Sequence, residues 1–250
     1  MYAFLRKPAW VALHVGVLAI VSAFLLLGRW QVSRLDDRQA QNTLIEERLS
    51  DEPTEWLSAS TTPPPEYTRL NITGEFRPDE EILLRSQVNL GRPGFDVLTP
   101  FYFDDDSAII VNRGWVPLEM DSPPVYEAAP PVGETNISGY TRLPLANEAD
   151  PVAPNAGIVA RVDLLGLNAA TEGELEMFYL ELTHLLAGES ALPIADGLPE
   201  ITEGPHLSYA VQWFAFAAVS VVGYAALIRS TARRRAGLSR RQAPRPPLPS

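Results

Sequence analysis

The sequence predicts an α+β membrane protein, in which two transmembrane helices flank an extracytoplasmic antiparallel β-barrel or β-sandwich domain with a juxtamembrane helix. Residues 9–27 and 209–228 contain no Asp, Glu, Lys or Arg. Twenty helical residues at about 1.5 Å each match the roughly 30 Å hydrocarbon core of a bilayer. Between these spans, short apolar runs alternate with turn residues, which is the pattern of β-strands.

Charge divides the chain into five segments: residues 1–8, 9–27, 28–208, 209–228 and 229–250. All 31 acidic residues lie in the middle segment against 11 basic ones, a net charge of −20, and the other nine basic residues lie at the two ends. The positive-inside rule then predicts two cytoplasmic termini and an extracytoplasmic domain, mainly from the arginines after the second span. An acidic domain disfavours nucleic acid as a partner, and the basic tail fits a topology determinant beside anionic membrane lipid.

The first span predicts an uncleaved anchor. Its apolar run ends in LLLGRW, residues 25–30, where a signal peptide would have small residues at a cleavage site. A long Arg- and Ser-rich transit peptide does not precede it, so the bacterial plasma membrane is the expected location. The chain has no cysteine, which removes disulfides, zinc-thiolate sites and thiol redox relays from consideration.

The segment after the first span begins with GRWQ, residues 28–31, just outside the predicted membrane. Trp and Arg at this level are typical of the aromatic belt. Residues 33–49 are polar with sparse apolar positions, which predicts a helix that continues out of the membrane.

The middle segment predicts short strands over residues 70–76, 82–84, 95–103 and 108–116, and two more over 157–164 and 177–183. Asp104–Asp106 is expected in a hairpin turn, with a cation site as the minor alternative. The sequence N-I-[T/S]-G occurs twice, at residues 71–74 and 136–139, which is too little to establish a repeat.

Residues 112–117, NRGWVP, are expected to end a strand. Gly114 permits a bulge and Pro117 cannot donate to a ladder, so Trp115 is expected in the core. Residues 184–205 are expected to return irregularly to the membrane. The tail from Arg233 is expected to be disordered because it is poor in apolar residues.

The candidate site lies at the start of the second span. At helical spacing His206, Tyr209, Ala210 and Trp213 share a face at the membrane surface. His14 lies about 20 Å deeper, so within one chain it and His206 cannot ligate the same metal ion. His14 is an ionisable group inside a span, with function or a hydrogen bond to the other helix as equal alternatives. His184 is expected on the surface.

Three motifs in order carry a family resemblance: residues 27–31 (LGRWQ) with Arg34, residues 111–117 (VNRGWVP), and residues 206–214 (HLSYAVQWF) leading into the last span. With this layout the chain resembles the Surfeit locus protein 1 family, membrane proteins that assist cytochrome c oxidase assembly and, in bacterial members, bind haem a. The resemblance implies transient haem a binding with His206 as the iron ligand; the alternative interpretation of His206 is a polar anchor or a helix-start residue. The implied cofactor-binding residues are His206, Tyr209, Trp213 and His14. The implied partner or interface residues are Gly28, Trp30, Gln31, Arg34, Arg113 and Trp115.

A catalytic function has little support, because the sequence contains no G-x-S-x-G, no H-E-x-x-H and no phosphate loop. A spatial Ser/His/Asp arrangement with His184 stays possible from sequence. The resemblance predicts a non-catalytic assembly factor for an aa3-type haem-copper oxidase, with subunit I and other oxidase subunits as partners. The alternative is a haem-free scaffold or accessory subunit of the oxidase or a respiratory supercomplex.

Overall fold

A computed structural model describes residues 3–56, 62–104, 106–144, 157–169, 171–183 and 191–241. The predictions for His184 and Asp105 therefore lie outside the described residues. The chain divides into two compact units. A helical unit comprises Met1–Thr43 and Thr202–Ser250, and a β unit comprises Leu44–Ile201.

The helical unit contains most of helix α1 (Pro8–Ser50) and a C-terminal helix, α3 (His206–Arg241). Both are long and apolar enough to cross a membrane. Helix α1 continues without a break through residues 33–49, which confirms the predicted helix beyond the first span. The prediction of disorder from Arg233 is wrong as far as Arg241, because α3 continues through this stretch, in which five of nine residues are Arg, a good helix former.

The β unit contains a short helix α2 (Leu164–Asn168) and eight strands. The strands are β1 (Thr54–Glu55), β2 (Arg69–Phe76), β3 (Ile82–Asn89), β4 (Arg92–Tyr102), β5 (Ser107–Pro117), β6 (Thr135–Arg142), β7 (Ile158–Val159) and β8 (Glu174–Leu182).

Five of these strands close into a ring in the order β2, β6, β8, β5, β4 and back to β2. The ring encloses the main apolar core, so the barrel alternative of the prediction holds. The antiparallel prediction is only partly right, because β8 pairs with β5 in parallel and with β6 antiparallel. The turn between β4 and β5 begins at Asp104, whose carboxylate accepts the N–H groups of Asp106 and Ser107.

Strand β5 is buried along both faces. One face points into the ring, and a second apolar cluster with Leu164 and Leu167 of α2 packs beside Ala108 and Ile110. The predicted strand over residues 157–164 is reduced to β7, because Asp163 caps α2 by accepting the Gly166 N–H at 3.2 Å.

The two N-I-[T/S]-G sequences lie opposite each other on β2 and β6, with Ile72 paired to Ile137. A Cβ on Gly74 would overlap the Tyr102 carbonyl oxygen, and one on Gly139 would overlap that of Glu181. Each glycine therefore lets its strand pass close to a neighbouring backbone in the ring.

Candidate functional site

One side of α3 is buried along its length in the helical unit. Ala210, Ala217 and Ala232 are buried, and the residues on the same side that are half-buried are His206, Trp213, Ser220, Tyr224 and Ile228. These positions recur every three or four residues, the spacing of a helix seam. Small residues in such a seam allow close approach of two helices.

Helix α1 contacts this seam through its own aromatic and small residues. The Phe24 ring stacks on Trp213 with ring centroids 5.7 Å apart. A Cβ at Gly28 would lie 2.7 Å from the Phe214 ring, so glycine makes room for that ring. The first and third sequence motifs therefore meet in the helical unit.

His206 is the first residue of α3 and contacts Gln31 of α1. Its Nδ1 lies 3.0 Å from Gln31 Oε1, between residues 175 positions apart in sequence. With the amide oxygen as acceptor, Nδ1 carries the proton and the Nε2 lone pair is left for a ligand. Within the described part of the chain Nε2 has no hydrogen-bond partner. This is the arrangement of a metal-binding imidazole with an outer hydrogen bond.

Three polar side chains of α1 hold the segment that precedes His206. Arg38 Nε and Asn42 Nδ2 both donate to the Thr202 carbonyl at 3.1 Å, and Gln39 Nε2 donates to Glu203 Oε1 at 2.7 Å. We call these five residues the return contact. It fixes the chain four residues before His206 and so helps to place the imidazole beside Gln31. The sequence does not predict this contact, because nothing in a polar helix face marks a partner 160 residues away.

The four residues predicted to share a face have different environments. His206, Ala210 and Trp213 lie on the seam, while Tyr209 lies at its edge with 46% of its surface exposed. Trp213 also meets Phe216 edge to face at 5.9 Å. Its ring therefore has two aromatic neighbours, whereas the Tyr209 ring is open to the surroundings of the helix.

His14 occupies a separate place in the helical unit. Its Nδ1 contacts the Tyr224 hydroxyl of α3, and its Nε2 contacts the Leu5 carbonyl oxygen at 3.2 Å. Both ring nitrogens thus have partners, including one on the other helix. Tyr224 lies 18 residues beyond His206 along α3, about 27 Å at 1.5 Å per residue. The structure thus keeps the two histidines far apart, as the sequence predicts.

Two of the implied interface residues after the first span, Trp30 and Arg34, are exposed. Arg34 pairs with Asp37 at 3.8 Å with both side chains more than half exposed. Such a surface pair contributes little stability.

Arg113 and Trp115, predicted at an interface, are buried inside the β unit. Arg113 Nη1 lies 3.4 Å from Glu81 Oε2, and its Nη2 donates to the Ala128 carbonyl at 2.5 Å. Glu81 also accepts the Val125 N–H at 2.8 Å. Burial raises the pKa of Glu81, although these hydrogen bonds and the Arg113 charge oppose the shift. Arg113 and Trp115 therefore stabilise the β unit from its interior. Glu81 is the partner of Arg113, and the NRGWVP motif does not reveal it.

The rest of the NRGWVP motif forms a bulge and a contact. The pairing of β4 with β5 shifts register between Asp96 and Leu98, opposite Gly114, whose φ is +118°. This confirms the predicted bulge and the core position of Trp115. The Trp115 backbone exchanges two hydrogen bonds of 2.8 Å with Ile194, which fastens the chain at Ile194 to the end of β5.

A buried carboxylate lies beside this bulge. Burial raises the pKa of Asp96 to about 7, and the Asp196 charge adds to the shift. Asn112 Nδ2 lies 3.4 Å from Asp96 Oδ2, while Asn112 Oδ1 accepts the Gly114 N–H at 3.0 Å. Asn112 therefore links the carboxylate to the bulge. Among the described residues, no group of three or more His, Asp or Glu side chains is arranged to hold a metal ion.

These features define a class of protein: two helices long and apolar enough to span a membrane, with a barrel-like β domain between them in the chain. A family model described as the SURF1 family matches residues 18–218, which include the LGRWQ, NRGWVP and HLSYAVQWF motifs. The chain therefore belongs to the SURF1 family.

Similar proteins occur in distant organisms. A SURF1-like protein of Rickettsia bellii (strain RML369-C) is 30% identical over 231 residues, covering 87% of this chain and 91% of the relative. An uncharacterized SURF1-like protein of Mycobacterium tuberculosis (strain ATCC 25618 / H37Rv) is 28% identical over 249 residues, covering 93% and 89%. A SURF1-like protein of Monosiga brevicollis is 27% identical over 240 residues, covering 89% and 90%. The SURF1 family is generally known for cytochrome oxidase assembly and is not typically catalytic.

Proposed function

We propose that this chain is a non-catalytic assembly factor for an aa3-type haem-copper oxidase, which binds haem a in transit or aids its insertion into subunit I. In this proposal α1 and α3 span the bacterial plasma membrane with both termini cytoplasmic. The β unit is extracytoplasmic and contacts oxidase subunits. The net charge of −20 between residues 28 and 208 and the arginines after α3 support that orientation.

The observation that carries the haem proposal is the contact between His206 and Gln31. Haem iron takes an imidazole nitrogen as an axial ligand, and an outer hydrogen bond on the other nitrogen fixes the ring and raises its basicity. His206 meets both requirements, since Nδ1 has Gln31 Oε1 at 3.0 Å. Tyr209 lies one turn from His206 and its exposed ring supplies aromatic surface for a macrocycle, whereas Trp213, two turns on, packs against Phe24 and Phe216.

The histidines of the described residues suit haem a that is bound in transit and released, and not haem a that is held permanently. His14 is about 27 Å away along the helices and its nitrogens are occupied. One chain therefore offers a single imidazole with a ring nitrogen available for a ligand, that of His206, and it would hold haem a through this one residue. A carrier must release its cargo, which one ligand permits more readily than two.

The visible spectrum of the detergent-purified protein, from cells that make haem a, tests this proposal. We expect a haem band in the wild type that His206→Ala removes. His14→Gln is the matched control, since it removes the other histidine of the helical unit at a distant depth, and it should keep the band. A colourless wild type that still co-purifies with oxidase would exclude the carrier function.

The second candidate is a haem-free scaffold or accessory subunit of the oxidase or a respiratory supercomplex. The side of α3 away from its seam favours it, because Val219 and Val222 are largely exposed and available to other membrane helices. Stable, stoichiometric co-purification with mature oxidase and no pigment would support this candidate over the first.

A further inference from the structure

Strands β3 and β4 extend beyond the ring as a two-stranded ribbon, residues 85–93. The pairing of β3 with β7 ends at Leu84, and the pairing of β5 with β4 ends at Gly94 opposite Pro117. Beyond these points, and among the residues that the structure describes, the two strands pair only with each other, from Gln87 with Gly94 to Asn89 with Arg92. Within that part of the chain the ribbon has two unpaired edges and an exposed tip.

The tip is a two-residue turn with an unusual residue. Leu90 and Gly91 have φ of +48° and +79°, the signs of a type I′ turn, which favours Asn-Gly. Leu90 is nevertheless 98% exposed, and Val88 beside it is 67% exposed. A leucine in the left-handed conformation is strained, and at full exposure it makes no apolar contact within the β unit that would offset this strain. The turn itself therefore does not explain why leucine stands here, whereas a contact with another molecule would explain it.

The ribbon is also basic within an acidic domain. From Ile82 to Phe95 the only charged residues are Arg85 and Arg92, although residues 28–208 carry a net charge of −20. Both arginines are exposed, and neither forms an ion pair within the described residues. The Arg92 guanidinium lies 5.6 Å from the centre of the Trp115 ring at the base of the ribbon. The exposed tip thus joins apolar side chains to positive charge.

We propose that the ribbon docks on the headgroup layer of an anionic phospholipid bilayer, with Leu90 inserted and Arg85 and Arg92 on lipid phosphates. Apolar residues flanked by arginine are typical of interfacial membrane contacts. Leu and Val are under-represented among the dominant residues of protein interfaces, which disfavours a protein pocket as the occupant. The β unit also connects at both ends to helices apolar enough to span a membrane, so a bilayer would be present at high effective concentration.

Single-cysteine labelling of the full chain tests this proposal, because the chain has no native cysteine. Leu90→Cys is labelled with an environment-sensitive fluorophore in nanodiscs of phosphatidylcholine, with or without phosphatidylglycerol, and quenched by spin-labelled lipid. Val132→Cys is the matched control: Val132 is also apolar and 102% exposed, but lies two residues from Glu134. A label on Val219→Cys in α3 is the positive control, because its quenching by lipid shows that α3 is inserted in the nanodisc bilayer.

We expect the Leu90 label to be quenched in anionic nanodiscs and the Val132 label to remain in water. Arg85→Gln should lower the docked population roughly fivefold, the effect of one basic residue at an anionic surface. The proposal is overturned if the Leu90 label is quenched no more than the Val132 label while the Val219 label is quenched. Equal quenching in neutral and anionic nanodiscs would overturn the headgroup contact. Shielding of the Leu90 label only after purified oxidase is added would assign the ribbon to a protein partner.

Discussion

Gln31 Oε1 lies 3.0 Å from His206 Nδ1 and joins the end of the LGRWQ motif to the first residue of α3. The amide oxygen can only accept a hydrogen bond, so it selects the imidazole tautomer protonated at Nδ1. A single contact thereby couples the two motifs that lie nearest to the proposed membrane surface, and it makes Gln31 a positioning residue for His206.

Gln31→Ala should weaken haem retention by about tenfold or more, because loss of an outer hydrogen bond commonly costs 10- to 100-fold in metal affinity. Gln31→Glu keeps an acceptor oxygen and should retain the pigment. Titration of the purified variants with haem, followed by visible absorption, measures both. Equal affinity in the wild type and Gln31→Ala would show that Gln31 does not position the ligand.

Gly114→Ala should destabilise the β unit by about 3 kcal/mol or more. Its φ of +118° strains any other residue, and the new Cβ would overlap the Ile194 carbonyl. Gly133→Ala is the matched control, since φ is +84° but no atom lies within 4 Å of the added Cβ; it should cost about 1 kcal/mol. Denaturant unfolding followed by tryptophan fluorescence compares them, and similar losses would exclude the contact with Ile194 as the cause.

Arg113→Met should cost about 3 to 5 kcal/mol, because it leaves Glu81 buried without its cation. Glu81→Gln should also destabilise, since it removes the carboxylate whose Oε2 lies 3.4 Å from the buried Arg113 Nη1. The double variant should lose less than the sum of the single losses, since the contact between these two side chains is lost only once. A double-mutant cycle on the unfolding free energy measures this coupling, and strictly additive losses would rule out the pair as an interacting unit.

Asp96→Asn should flatten the dependence of stability on pH. The pKa of Asp96 is raised by burial from its ordinary 3.8 to about 7, so the folded state binds the proton more tightly than the unfolded state. Its contribution to stability is complete below about pH 3.8 and is lost as pH rises through 7, by no more than about 4 kcal/mol. Asn stays neutral, so the variant should be the more stable protein at pH 8. Chemical unfolding of both proteins at pH 5 and pH 8 gives this difference, and parallel pH profiles would contradict it.

Local patterns were sufficient to predict most of the elements. Composition predicts the two charge-free spans, and residue periodicity predicts the helix after the first span and the alternating strands. The glycine at position 114 predicts the bulge. The side chain that each residue contacts is harder to predict, because such contacts depend on how distant segments pack together. Arg113 belongs to a motif, but Glu81 lies 32 residues away, directly before β3, in a stretch that carries no motif. His206 and Gln31 were both singled out, and only the packing of α1 against α3 brings them together.

The return contact has a consequence for how the chain tolerates change. Asn42 and Thr202 meet across 160 residues, so the intervening chain leaves and re-enters the helical unit at one point. A flexible turn between strands of the β unit can gain or lose residues at small entropic cost, because the cost rises only with the logarithm of loop length. The position of His206 along α1 is set by the return contact, which lies outside the β unit. Changes in the exposed turns of the β unit can therefore reshape the surface offered to partners without moving the imidazole.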